Sequence, residues 1–177
     1  MEEARRLFNQ HQHFHQMDDD DRRGIAGFAE TEELPWRWFG SMSGHFYFPG
    51  AINNNQLISD ALDETPLVGG VTQDHFERYV AIIRTAFEKA GRGTATRLLA
   101  FKRPDYFVYL DEMNRRKLCE EFEIPKSVKL DDYWEKVVQR IINSNWWNSP
   151  EPKDELERRI WCCRAAFLNV KFYEPKQ

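Results

Sequence analysis

The chain has 177 residues and a mass of 21.1 kDa, 41% of them hydrophobic and 31% charged, a size and balance that suit one domain around one core. No run approaches the ~20 apolar residues of a membrane helix, and MEEARRLFNQ has no apolar stretch behind its charges, so neither a membrane span nor a secretory signal is expected. Three cysteines, Cys119, Cys162 and Cys163, two of them adjacent, argue against a disulfide framework and for a reducing, cytoplasmic setting.

In chain order, residues 2–16 read as a short helix with Leu7, His11 and Phe14 on one side, and the acidic run Asp18–Asp21 as a loop. The stretch LPWRWFGSMSGHFYFPG is punctuated by glycine and proline too often for a long helix, and His45–Phe48 is compatible with a short strand. Leu57, Ile58 and Leu62 suit a short amphipathic helix. From Asp74 to Lys89, Phe76, Val80, Ile83 and Phe87 recur at offsets of four, three and four, which keeps them on one helix face, with Thr72 as N-cap and Gly91 as stop. A second helix spans about Thr94 to Lys102 and ends before Pro104. Tyr106–Leu110 reads as an extended buried segment and Glu112–Phe122 as a helix. Residues 131–143 present Trp134, Val137, Val138, Ile141 and Ile142 on an apolar face. The last helix is expected over Asp154–Val170, burying Leu156, Ile160, Cys163, Phe167 and Val170, after a connector in which Ser149 caps and Pro150 opens the turn. The fold class that follows is mainly α: a single-domain helical bundle with room for a small β element near residues 45–48. An acidic, aromatic segment, residues 1–73, packs on a helical core, residues 74–177.

The formal charge of −4 is uneven. Residues 1–70 hold 12 acids against 5 bases, residues 71–177 hold 17 acids against 20 bases. Between residues 92 and 117, Arg92, Arg97, Lys102, Arg103, Arg115, Arg116 and Lys117 face only Asp105, Asp111 and Glu112. Such a cluster is either a solvated face or a phosphate-binding patch, and the glycine turn Gly91-Arg92-Gly93-Thr94 at a helix start could add backbone amides. Trp146 and Trp147, in the connector, are either core residues or stacking platforms. His11, His13 and His15 alternate, which would set His11 and His15 one turn apart on a helix, but no HExxH or Cys/His pattern accompanies them and no metal site is assigned. Walker A, GxGxxG and GxSxG motifs are absent, and no cofactor is expected.

The run KAGRGTATRLLAFKRPDYFVYLDEMNRRKLCEEFEI, residues 89–124, resembles the helix-hairpin-helix DNA glycosylase core. Gly91, Arg92, Thr94 and Ala95 match the end of that family's hairpin motif, and Asp111 and Arg116 fall where it carries a catalytic aspartate and a helix-borne arginine. The resemblance implies DNA-backbone contact at the hairpin and a role for Asp111 in stabilising a positively charged sugar. Lys89, Gly93 and Met113 stand where the family has its first hairpin glycine, its nucleophilic lysine and a histidine, so Schiff-base lyase chemistry is not implied. On the residues alone, Asp111 is equally an N-cap holding the amide of Met113 or Asn114. The second part of the chain, with TATRLLAFKRPDYFVYLD, NRRKLCEEF and INSNWWNSP, is similar in a general way to helical domains of bacterial phage-defence proteins.

Three functions are therefore expected in competition. The first is a DNA-binding protein of bacterial or phage DNA transactions or defence, using Gly91, Arg92, Gly93, Thr94, Arg97, Lys102, Arg103, Arg115 and Arg116. The second is a protein-interaction module, a small inhibitor or accessory subunit, acting through Asp18, Asp19, Asp20, Asp21, Glu30, Glu32 and Glu33. The third is a monofunctional base-excision enzyme acting through Asp111; on balance the residues point away from an enzyme.

Overall fold

The computed structural model describes residues 1–27, Phe39, Met42, 56–88 and 90–174, and it is mainly α, with no strand among those residues. The expectation for residues 45–48 lies outside them, as do Glu30, Glu32 and Glu33. The helices are α1 (Glu2–Gln10), α2 (Asp19–Ala26), α3 (Gln56–Asp63), α4 (Gln73–Ala86), α5 (Arg92–Lys102), α6 (Arg115–Glu121), α7 (Gln139–Ile142), α8 (Glu155–Trp161) and α9 (Arg164–Lys171). A short 3-10 turn, Phe14–Gln16, follows α1, and a π-helical turn, Trp134–Val138, runs directly into α7.

The centre is α5. Every residue from Thr94 to Lys102 is buried, and α1, α2, α3 and α9 all pack against it. Small residues allow this: Thr94, Ala95, Thr96 and Ala100 let neighbours approach while Leu98, Leu99 and Phe101 fill the spaces between them. Leu7, Phe8, Phe14, Met17 and Ile25 from the first 26 residues join the same hydrophobic cluster as Phe76, Leu98, Phe107 and Tyr133.

Local chemistry sets the helix ends. Thr72 caps α4 as expected, its hydroxyl accepting from the His75 amide at 3.3 Å while the His75 ring accepts from the Thr72 amide at 3.2 Å. Gly91, expected to stop α4, instead precedes α5 as its N-cap, because α4 already ends at Phe87, whose amide bonds the Ile83 carbonyl. The aspartate run is not a loop. Asp18 caps α2 by accepting from the Asp21 amide at 2.8 Å, and Asp19–Asp21 form the first turn, where negative charge suits the helix dipole.

The extended segment Phe107–Leu110 is buried with no strand beside it among the described residues, and side chains serve its backbone groups. Tyr133 supplies both for Val108, donating to its carbonyl at 2.6 Å and accepting from its amide at 3.0 Å. The Leu110 amide donates to the Thr96 hydroxyl, and the Tyr109 carbonyl accepts from the amide groups of Asn114 and Asn169 at 2.7 and 3.0 Å. Phe76 fastens this segment to α4, its ring centroid 5.6 Å from that of Tyr133 and 6.3 Å from that of Phe107; such pairs add about 0.5–1.5 kcal/mol each beyond area burial.

The single C-terminal helix expected over residues 154–170 is two helices, broken at Cys162 and Cys163. The break frees the Ala166 amide, near the start of α9, to donate to the Pro104 carbonyl at 2.9 Å. Its cap is Asp154 and not Ser149, whose hydroxyl donates to the Trp146 carbonyl. Of the residues expected to be buried here, Leu156 is 63% and Val170 38% exposed.

Gly27 closes α2 with φ +90°, and a Cβ there would lie 2.8 Å from Met42 Cγ and 2.9 Å from Arg97 Cζ. Gly27→Ala therefore combines left-handed strain with a steric clash and is expected to cost about 2 kcal/mol in urea unfolding. A loss below about 0.5 kcal/mol would mean that Arg97 is not held where it stands.

Candidate functional site

The basic cluster of residues 92–117 separates into an inner and an outer set. Arg97 is fully buried: its Nε donates to the Ile25 carbonyl at 2.8 Å and its Nη1 to the Phe39 carbonyl at 2.9 Å, with the rings of Phe39, Phe101 and Tyr109 at 5.3–5.8 Å from the guanidinium carbon. Burial pushes its pKa down to about 10, which leaves it charged at neutral pH. Lys102 donates to the Leu62 carbonyl at 2.6 Å, 3.7 Å from an Asp63 oxygen. Arg103 grips both oxygens of Asp105 and donates to the carbonyls of Pro66 and Gly69 at 2.6 and 2.9 Å. These three cations join α5 to residues 25, 39 and 62–69. The expectation that they contact phosphate is corrected on that ground: no external anion reaches a group at 0–7% exposure without opening the core.

Arg92, at the start of α5, is half-buried and donates to the carbonyls of Val128 at 2.6 Å and Leu110 at 3.3 Å, with Glu112 3.4 Å away. Thr94 is buried, its hydroxyl turned back onto the Gly91 carbonyl at 3.0 Å. The outer set is Arg115, Arg116 and Lys117. Arg115 pairs with Glu112 at 2.6 Å, and Arg116 and Lys117 share Glu174. The seven bases that face three acids between residues 92 and 117 are therefore not displayed as one surface. Gly91 is exposed and Gly93 half-buried, at a turn that joins α4 to α5.

Asp111 lies at the end of the buried segment. Its Oδ1 accepts from the amides of Met113 at 2.8 Å and Asn114 at 3.0 Å, and Asn114 Oδ1 accepts in return from the Asp111 amide at 3.1 Å. Burial raises the Asp111 carboxyl, opposed by the hydrogen bonds from Asn114, Met113 and Asn169 and by Arg97. The carboxylate therefore fixes the turn of residues 112–114 that leads into α6, and the N-cap of α6 itself is Asn114, not Asp111 as the sequence suggests. Asp111→Ala is expected to cost about 1–2 kcal/mol in thermal unfolding, whereas Asp111→Asn, which can still accept from the same amides, stays within about 0.5 kcal/mol. Equal losses in both would show that the charge, and not this pair of hydrogen bonds, is what matters at this position.

Trp146 and Trp147 are not free platforms. Trp146 Nε1 donates to the Arg164 carbonyl at 2.8 Å and Trp147 Nε1 to the Asp105 carbonyl at 2.6 Å, while the Arg164 guanidinium carbon sits 4.3 Å from the ring centroids of both Trp147 and Trp161. The histidines do not share a helix face, because α1 ends at Gln10. His13 and His15 stack with centroids 5.4 Å apart, His13 Nδ1 2.7 Å from Asp63 and His15 Nδ1 3.1 Å from the Ser59 hydroxyl. Among the described residues no group of three or more His, Cys, Asp or Glu side chains is arranged to hold a metal ion.

The acidic N-terminal face is open. Asp18, Asp19 and Asp20 are exposed, and the Asp21 carboxyl is pushed up by burial and then by the charges of Asp18 and Glu3. Arg22 pairs with Asp19 and Arg6 with Glu3. Among the described residues no helix is long and apolar enough to cross a membrane. Comparison of the chain with family models, curated proteins and solved structures finds no match.

Proposed function

We propose that this chain is a protein-binding module, a small inhibitor or accessory subunit, that docks on a basic partner protein through the acidic face formed by Asp18, Asp19, Asp20 and Asp21 together with Glu3. The observation that carries this reading is the sorting of charge. Arg97, Lys102 and Arg103 are internal, so the outside of a chain already at −4 is more acidic than its composition suggests, and an acidic surface favours encounter with cations and disfavours a polyanion. An exposed single ion pair such as Arg6–Glu3 contributes little to stability, so Glu3 is available to a partner at small cost to the fold.

A second reading, binding of DNA, keeps one observation in its favour: Arg116 and Lys117 share a single carboxylate, Glu174, which leaves positive charge beside Arg115 at the start of α6. Fluorescence anisotropy separates the two. With labelled decalysine and labelled single- and double-stranded DNA titrated at two salt concentrations, the first reading expects salt-sensitive binding of decalysine, weakened about tenfold by Asp18→Asn with Asp20→Asn, and no DNA binding. DNA binding at low salt that Arg115→Ala with Arg116→Ala removes would overturn it in favour of the second. Removing residues 1–26 is not a usable test, because Leu7, Phe8, Phe14, Met17 and Ile25 belong to the core.

A further inference from the structure

Cys162 and Cys163 stand at the interruption between α8 and α9. No glycine or proline lies in ERRIWCCRAAF, residues 157–167, yet the backbone leaves the helical region here: Cys162 ends α8 with φ −63° and ψ −19°, and Cys163 follows with φ −121° and ψ 25°. Both thiols can be reached. Cys162 is half-buried, and Cys163, although 7% exposed, lines an open cavity of about 480 Å³ between α1 and the α8–α9 pair. From α1 the Arg5 guanidinium lies against both sulfurs, which sets them on one side of the break. Neither cysteine is in a disulfide.

We infer that this adjacent thiol pair is a binding site for one cuprous ion, held between the sulfurs of Cys162 and Cys163 beside Arg5. The inference stands apart from the protein-binding reading above. Three features select the ligand. The first is reach: neighbouring Cα atoms are ~3.8 Å apart, short of the ~4.4–6.8 Å that unstrained disulfides span, so a direct S–S bond strains the chain, whereas an ion with metal–sulfur bonds of ~2.3 Å bridges the same two sulfurs across a wider gap. The break serves this bridging, because in a continuous helix successive side chains are fixed ~100° apart, and Cys163 is released from that angle. The second is donor number. Thiolates select soft ions, cuprous copper, zinc and iron–sulfur clusters among them, but zinc and the clusters take four ligands, and among the described residues no third His, Cys, Asp or Glu joins the pair. Cuprous copper is satisfied by two thiolates. The third is charge: on binding, the ion replaces the two thiol protons, which pass to solvent, and with no change of oxidation state the unit carries one negative charge, which faces the Arg5 cation. Burial pushes the Cys163 thiol up, opposed foremost by Arg5, so its proton is displaced by the metal and not lost beforehand.

The test uses the reduced full chain without oxygen and Cu(I) itself, titrated against an excess of a chromophoric Cu(I) chelator. One copper per chain is expected to stay on the protein, with a thiolate-to-copper absorption band in the near ultraviolet. Cys162→Ser, at a half-buried position, and Cys163→Ala are each expected to weaken retention at least about thirtyfold with circular dichroism unchanged, and Arg5→Gln to weaken it about threefold to tenfold. Cys119→Ala, in α6, is expected to retain copper like the parent. Transfer of all copper to the chelator overturns the inference, and so does a Cys162→Ser protein that retains copper like the parent or a Cys119→Ala protein that loses it. Recovery of Cys162 and Cys163 as a disulfide that withstands a mild thiol reductant also overturns it, because the break would then accommodate an S–S bond without strain.

Discussion

Arg97→Ala is expected to destabilise the protein by about 3–5 kcal/mol, enough to unfold much of a marginally stable domain at 37 °C. The guanidinium holds the carbonyls of Ile25 and Phe39, and its removal leaves both acceptors inside the core with a cavity between the rings of Phe39, Phe101 and Tyr109. Arg97→Lys is expected to recover less than half of the loss, because an ammonium has no planar fork with which to reach two carbonyls in different segments while lying among three rings. Urea denaturation of the three proteins decides it. A loss in Arg97→Ala within about 1 kcal/mol would show that the buried cation is not the fastening it is described to be.

The second large effect is one of pH. Burial pushes the Lys102 ammonium from its ordinary 10.5 down to about 8, against the opposing pull of Asp63. The unfolded chain keeps this proton up to 10.5 while the folded chain releases it near 8, so between those values the unfolded state binds more protons and stability rises with pH. Comparison with Lys102→Met removes the contributions of other groups, such as the buried Tyr79 and Tyr133, whose raised pKa values act in the opposite sense at higher pH. From pH 7 to 9.5 the parent is expected to gain about 2 kcal/mol relative to that variant. Parallel stability profiles of the two proteins would show that the ammonium is solvated and not enclosed against Leu62 and Phe8.

What the sequence made legible follows from how local each determinant is. Helix α4 and its Thr72 cap were readable because a four-three-four apolar period and a capping residue lie within one short window. The buried course of residues 107–110 was readable from its unbroken apolar run, although its partners, Tyr133, Thr96, Asn114 and Asn169, were not. The basic cluster was read outward and three of its members point inward. A signal did exist: Arg97 and Lys102 are five positions apart, about 140° around a helix, so α5 has no polar face on which both could be solvated. The aspartate run likewise carries a cap and a first turn, which its charge alone does not distinguish from a loop. The break at Cys162–Cys163 was not legible, since its compensating partner is a carbonyl at Pro104, some sixty residues earlier. The hydrogen bonds of Asp111 to the Met113 and Asn114 amides were readable from the residues that follow it, but they hold a turn ahead of α6, whose N-cap is Asn114.

The stitching of α5 to earlier residues also orders events during synthesis. Helices α1 and α2 leave the ribosome before α5, and the cation that closes the carbonyl end of α2 is 72 residues behind its acceptor; Leu98, Leu99 and Phe101 come from that same later helix, against which α1 and α2 pack. At translation rates of about 5–20 residues per second, that is several seconds during which Leu7, Phe8, Phe14 and Ile25 are without their native cover. The nascent N-terminal part is thus the stretch of this chain that most needs protection from premature association, and the aspartates of α2 supply it in part by keeping nascent chains mutually repulsive.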